Sequence, residues 1–153
     1  MAIERVREYL KKYNKDQDIL EFDGSSATVA DAAASIGCDD AHIAKTMSFI
    51  VDDRPILIVI AGDKKIDNSK FKQTFKCKAK MVPSDMLGKL IGHEAGGVCP
   101  FGINGGVDVY LDESLKRFQY VYPACGSNNS AIKLTIPELE KYSNYKSWVD
   151  VGK

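Results

Sequence analysis

The sequence predicts an α+β fold, a mixed β-sheet covered by helices. Near the start of the chain, apolar residues recur three and four apart. From about residue 46 they gather instead into β-branched runs, and strand and helix patterns then interleave irregularly, without the strict alternation of a parallel sheet. The 153 residues, 44% hydrophobic and 27% charged, suffice for one buried core without a metal or disulfide framework. No linker, internal repeat or low-complexity tract divides them, so residues 1–153 read as one domain.

Ile3, Val6 and Leu10 share one face of an opening helix over Ala2 to Tyr13. Thr28-Val-Ala-Asp31 has the form of a capping box with Asp for Glu, and Gly37 supplies a stop, which brackets a second helix. Asp39 can cap a short turn through His42. Thr46 to Val51 and Pro55 to Ala61 are strands joined by the turn-forming Asp52-Asp53-Arg54, hence a hairpin. Ile56 to Ile60 is apolar on both faces, as a central strand covered on both sides would be. Helices follow over Asp67 to Lys76 and Ser84 to Leu90, with a short strand, Ala79 to Val82, between them. Val107 to Leu111, Tyr120 to Pro123 and Ala131 to Ile136 are three more strands. Pro137 suits the first turn of a last helix, and Trp148 to Val151 suits an edge strand.

Charge names no partner, because 21 basic residues balance 21 acidic ones; a histone-like protein and an acidic tail are both excluded. The longest strongly apolar stretch, Ile56 to Ala61, is far short of a bilayer span, so no membrane role is expected. The first residues alternate charged with apolar and lack a signal-peptide core, which makes the cytoplasm the expected compartment. Cys38, Cys77, Cys99 and Cys125 are too scattered for a disulfide scaffold there. Cys38 and His42 could meet on one helix turn, but no second ligand pair lies nearby, so neither a metal nor another cofactor is expected.

Several segments could carry chemistry. Ile91 to Gly102 holds glycines at 92, 96, 97 and 102 and Pro100, a loop able to aim consecutive N–H groups at an oxyanion or phosphate, or simply to connect strands tightly. It has neither the spacing nor the Lys-Ser/Thr of a Walker loop. Lys45 stands at the start of a strand and reads as a solvated residue unless the glycine loop faces it. Between Lys64 and Lys80, seven lysines meet one acid, Asp67, which suits a nucleic-acid backbone or a solvated helix equally. His93 and Cys99 could form an imidazole–thiolate pair, or Cys99 could be a small loop residue. Cys125 to Ser130 is a polar break that turns the chain or lines a pocket.

Ile43-Ala-Lys-Thr-Met47, Ala61-Gly-Asp-Lys-Lys-Ile-Asp67, Gly96-Gly-Val-Cys-Pro-Phe-Gly102 and Ala124-Cys-Gly-Ser127, with Val109 to Leu115 between the last two, occur in an order and spacing that resembles the YbaK/EbsC family. Its members are related to the editing domain of bacterial prolyl-tRNA synthetases. The likeness extends from about Asp23 to Leu139. It implies a barrel-like mixed sheet of about six or seven strands ringed by helices. It also implies hydrolysis in trans of mischarged aminoacyl-tRNA, of the tRNA-Pro type, with release of a small amino acid.

Carried onto this chain, the resemblance makes Lys45 the functional lysine and Gly96 and Pro100 the ends of a Gly-x-x-x-Pro loop, with Gly97 and Val98 supplying amides. Thr46, Cys99, Phe101, Gly102, Gly126 and Ser127 would line the substrate pocket, and Lys64, Lys65, Lys70 and Lys72 would touch tRNA. Cys99 departs from the Ser or Thr common in relatives. Water or the substrate's own side chain would be the nucleophile. The expected partner is the aminoacylated 3′ end of tRNA, and the chain is free to act alone or as a homodimer. A binding module of the same fold without catalysis is the competing reading; retention of Lys45 favours the enzyme.

Overall fold

The computed structural model describes residues 2–25 and 28–153. Helix α1 (Ala2–Lys11) buries Ile3, Val6 and Leu10, the face its spacing predicts. It stops two residues short of Tyr13 because the chain turns at Asn14, whose φ is 57°. Strand β1 (Leu20–Glu21) leads to α2 (Val29–Ile36). The Thr28 hydroxyl accepts from the Asp31 amide, and Gly37 closes the helix in the left-handed region at φ 85°.

Strands β2 (Ile43–Val51) and β3 (Arg54–Ala61) form the expected hairpin. Asp52 and Asp53 both take positive φ, 52° and 63°, the twist that suits a two-residue hairpin turn. Strand β2 begins three residues before its predicted start, so Lys45 lies within it. Helix α3 (Asn68–Phe75) is capped by the Asp67 carboxylate, which accepts from the Lys70 amide. Helix α4 (Leu87–Leu90) follows a 3-10 turn over Ser84–Met86.

The remaining elements are β4 (Asp108–Asp112), β5 (Tyr120–Pro123), β6 (Ser130–Ala131), β7 (Leu134–Thr135), α5 (Ile136–Ser143) and β8 (Ser147–Val149). The predicted strand over 131–136 divides. Ala131 pairs with β1, Leu134 and Thr135 pair with β5, and Ile136 passes to α5 because Thr135 and Glu138 build a capping box. The predicted strand over 79–82 reduces to one bridge, Met81 opposite Phe49. The edge strand ends at Val149 because the Val151 amide donates to Asp112 Oδ1 at 2.8 Å instead of extending the ladder.

Six strands pair in the order β7-β5-β2-β3-β4-β8, mixed in direction, and curl into a half-barrel; β1 and β6 form a separate ribbon. Strand β3 is central and covered on both faces. Leu57 and Val59 join the large cluster under α1 and α5, whereas Ile56 and Ile58 pack with Phe49 and Phe71 under α3. A smaller cluster joins Ala32 and Ala33 of α2 to Ile43.

Candidate functional site

Strand β2 presents Lys45 and Thr46 to a cavity of about 320 Å³. Gly96 and Val98 line the same cavity. Helix α2 contributes Val29 and Ala32, strand β5 contributes Tyr122, and Met81 and Leu87 complete a largely apolar lining. The size falls at the small end of the ~300–1000 Å³ usual for ligand clefts.

The Lys45 side chain is half-buried and its Nζ donates to the Lys64 carbonyl. Burial draws the ammonium below the ordinary lysine value, with Asp63 opposing the shift and Lys65 adding to it. Asp63 is held by Arg117 at 2.6 and 3.0 Å, so its carboxylate is already engaged.

The glycine loop is divided by depth. Gly96, at φ 88°, and Val98 reach the cavity. Gly97 lies behind them, packed backbone against backbone on Gly126 and Ser127. A Cβ at Gly97 would stand 2.6 Å from the Ser127 nitrogen and 2.7 Å from the Gly126 carbonyl carbon. Ser127 Oγ in turn donates to Ser130 Oγ at 2.7 Å, and Ser130 does line the cavity. Gly126 and Ser127 therefore support the site from outside it. Cys99 and Phe101 are fully buried in the main core, and Pro100 and Gly102 open onto a different cleft beside Tyr9 and Ile103.

The Cys99–His93 pair exists, but its geometry opposes nucleophilic chemistry. His93 Nε2 is 2.8 Å from the Phe101 carbonyl oxygen. A carbonyl only accepts, so Nε2 carries the proton and cannot take one from Cys99 Sγ, 3.5 Å away. Among the described residues, Nδ1 is buried without a partner. Burial pushes the Cys99 thiol up to about 12 and pushes His93 below its usual value, so both groups are neutral at neutral pH. Iodoacetamide at pH 8 should modify the half-buried Cys38 and Cys77 and leave Cys99 untouched, as read by peptide mass.

The predicted tRNA lysines lie outside the cavity lining. Lys70 donates to Asp150 at 3.0 Å and to the Gly152 carbonyl at 2.9 Å, tying α3 to the C-terminal segment. Lys64 and Lys65 follow β3, and Lys72 is on the exposed side of α3. Among the described residues no cluster of three or more His, Cys, Asp or Glu could hold a metal, and no helix is long and apolar enough to cross a membrane.

Parts of the lining were not foreseen. Tyr122 carried no sequence signal beyond its strand, and Met81 and Leu87 come from segments read only as secondary structure. The alternation of β2 could have shown that its neighbours also border the pocket.

An α+β domain with a half-barrel sheet and a small cavity lined by a strand lysine and a glycine loop is the class that fold and site define. The aminoacyl-tRNA editing domain profile matches residues 23–142, and the chain belongs to that family. An uncharacterized protein of Bacillus subtilis (strain 168), YwhH, is 52% identical over 154 residues, covering 100% of this chain and 98% of that protein. A proline–tRNA ligase of Caldicellulosiruptor bescii is 26% identical over 90 residues, 58% of this chain but only 15% of the ligase. Among solved structures, one provisionally described as a trans-editing enzyme for prolyl tRNA synthetase superposes with TM-score 0.89 at 24% identity, covering 99% of this chain and 97% of that one. The hypothetical protein APE2540 superposes at 0.85, also with 24% identity, covering 97% of this chain and 99% of that one. At these identities the superpositions establish the fold.

Proposed function

We propose that the protein is an aminoacyl-tRNA deacylase that hydrolyses mischarged tRNA in trans in the cytoplasm, with a tRNA-Pro type substrate and a small amino acid as product. The observation that carries this reading is the placement of Lys45 and the Gly96–Val98 turn on one small cavity. An aminoacyl ester is already activated, so the protein has mainly to hold its carbonyl and stabilise the charge that develops on the oxygen. Water, or the substrate's own side chain, attacks the carbonyl carbon. The amides of the turn receive the oxyanion, and the bond to the ribose oxygen breaks as that oxygen gains a proton. Each such amide is worth on the order of 2.7–4 kcal/mol in similar reactions. Lys45 holds the ribose–phosphate end and fixes the ester against the turn. In this reading Lys45 acts as the charged ammonium, a donor and not a base.

The walls set an upper limit on the acyl group. Apolar pockets discriminate by only about 1–3 kcal/mol per methylene, so large cognate residues are rejected by steric exclusion. A panel of mischarged tRNAs incubated with the protein tests the proposal: at least one small aminoacyl-tRNA should be hydrolysed well above its spontaneous rate. Binding without turnover would instead identify a non-catalytic module.

The acceptor stem must lie outside the cavity. Neutralising Lys64, Lys65 and Lys72 together is expected to weaken tRNA binding and to lower the slope of log K against log salt by about 1 for each phosphate that these lysines had paired. A filter-binding series from 50 to 300 mM salt checks this, and an unchanged slope would place the tRNA footprint elsewhere.

A further inference from the structure

The six-stranded sheet contains a gap. The Gly62 amide donates to the Ile43 carbonyl at 2.7 Å, which makes the odd-numbered residues of β2 those bonded to β3. The even-numbered residues, Ala44 to Ile50, therefore turn their backbone N–H and C=O toward the other edge. At one end of that edge, β5 covers Ile43 and Ala44. At the other end, the Ile50 amide donates to the Lys80 carbonyl at 2.8 Å and the Val82 amide to the Ser48 carbonyl at 3.1 Å. Thr46 falls between the two. Among the described residues, neither its N–H nor its C=O has a hydrogen-bond partner, and its Oγ1 is buried without one. Ala124 borders the gap on one side, Met81 and Val82 border it on the other, and all three line the cavity that holds Lys45. Gap and cavity are one space.

Backbone polar groups inside a sheet are almost always paired, so an unpaired donor and acceptor on a strand that lines a cavity are available to a ligand there. We propose that the Thr46 carbonyl receives the α-ammonium group of the aminoacyl ester and restricts the substrate to esters whose α-amino group is free. This rests on the deacylase reading above. A carbonyl is an acceptor only, and the α-ammonium is the one cationic donor on an aminoacyl group with a small uncharged side chain. A charge-assisted hydrogen bond between them, in a mostly apolar cavity, orients the acyl carbon toward the glycine turn. Thr46 acts here as a positioning residue through its backbone. Esters with an acylated amino group, such as peptidyl- or formyl-aminoacyl-tRNA, lack the ammonium and are spared.

The experiment uses the intact protein and the aminoacyl-tRNA it hydrolyses fastest. That tRNA is compared with the same ester N-acetylated and with a desamino ester, in which hydrogen replaces the amino group and no bulk is added. Both modified esters should lose at least tenfold in kcat/KM, mainly through KM; tenfold corresponds to about 1.4 kcal/mol. Thr46→Val, which removes the hydroxyl but keeps the carbonyl, should preserve that ratio. Equal turnover of the desamino ester would overturn the role of Thr46 and leave the deacylase reading intact. Loss of the ratio in Thr46→Val would assign the preference to Oγ1 and overturn the carbonyl contact. If no aminoacyl-tRNA in the panel is hydrolysed, the deacylase reading fails and this inference fails with it.

Discussion

Lys45→Ala is expected to lower kcat/KM for the preferred aminoacyl-tRNA by about a hundredfold or more, the scale seen when one well-placed polar group is removed from a transition state. The fold should survive. The side chain is only half-buried, and among the described residues its hydrogen bond goes to the Lys64 carbonyl, a contact of the kind worth about 1 kcal/mol net. A circular-dichroism melt shifted by no more than a few degrees, beside a collapsed deacylation rate, is the expected pair of results. Lys45→Arg should not restore the rate, because a planar guanidinium needs more width than a compact ammonium on a flexible stem. The wild-type rate should also fall on the alkaline side. Only the protonated amine can hold an anionic group, and burial has moved its titration below the usual lysine value, so the falling limb should begin at lower pH than an exposed lysine would give. Absence of that limb in Lys45→Arg, whose guanidinium stays charged, would assign it to this group. Full activity in Lys45→Ala would remove the lysine from the mechanism.

Lys45 also marks how far the sequence could be read. The hairpin and the covered central strand were legible because β-branched runs and the Asp52-Asp53 turn are local signals, and the mixed sheet followed from their irregular interleaving with helices. Helix α2 was legible from its caps. The broken strand after Ser130 was not, because both of its pairings are long-range: Ala131 finds β1, more than a hundred residues earlier, while Leu134 finds β5. Local propensity cannot choose between two such partners. At the site, the motif letters named a lysine and a glycine loop but not the depth of each residue. Gly96 and Val98 reach the cavity while Gly97 and Cys99 do not, and the separation depends on how the loop seats against residues 126 and 127. The unpaired edge at Thr46 was invisible for the same reason, since it is defined by where two distant segments stop pairing with β2.

Gly97→Ala should have the largest effect on the loop itself. The added methyl would meet backbone atoms of Gly126 and Ser127 at 2.6 to 2.9 Å, and backbone cannot rotate aside as a flexible side chain can. One of the two segments must move. Gly126 is hemmed in from behind, where a Cβ of its own would stand 2.9 Å from Ala2 backbone atoms, so the displacement falls on the 96–98 turn. Overpacking of this kind costs typically about 1–3 kcal/mol. For a chain of this size that lowers the melting temperature by very roughly 2–4 °C per kcal/mol. Because Gly96 and Val98 flank the substituted residue and both line the cavity, the turn's amides should also shift there, and kcat should fall by more than the loss of folded protein explains. Gly105→Ala is the matched control, since a Cβ there meets nothing within 4 Å. It should change neither melting temperature nor rate. A Gly97→Ala protein with a lowered melting temperature but an unchanged kcat would show that the turn can shift without consequence for the ester, and the oxyanion would then have to be held by other donors.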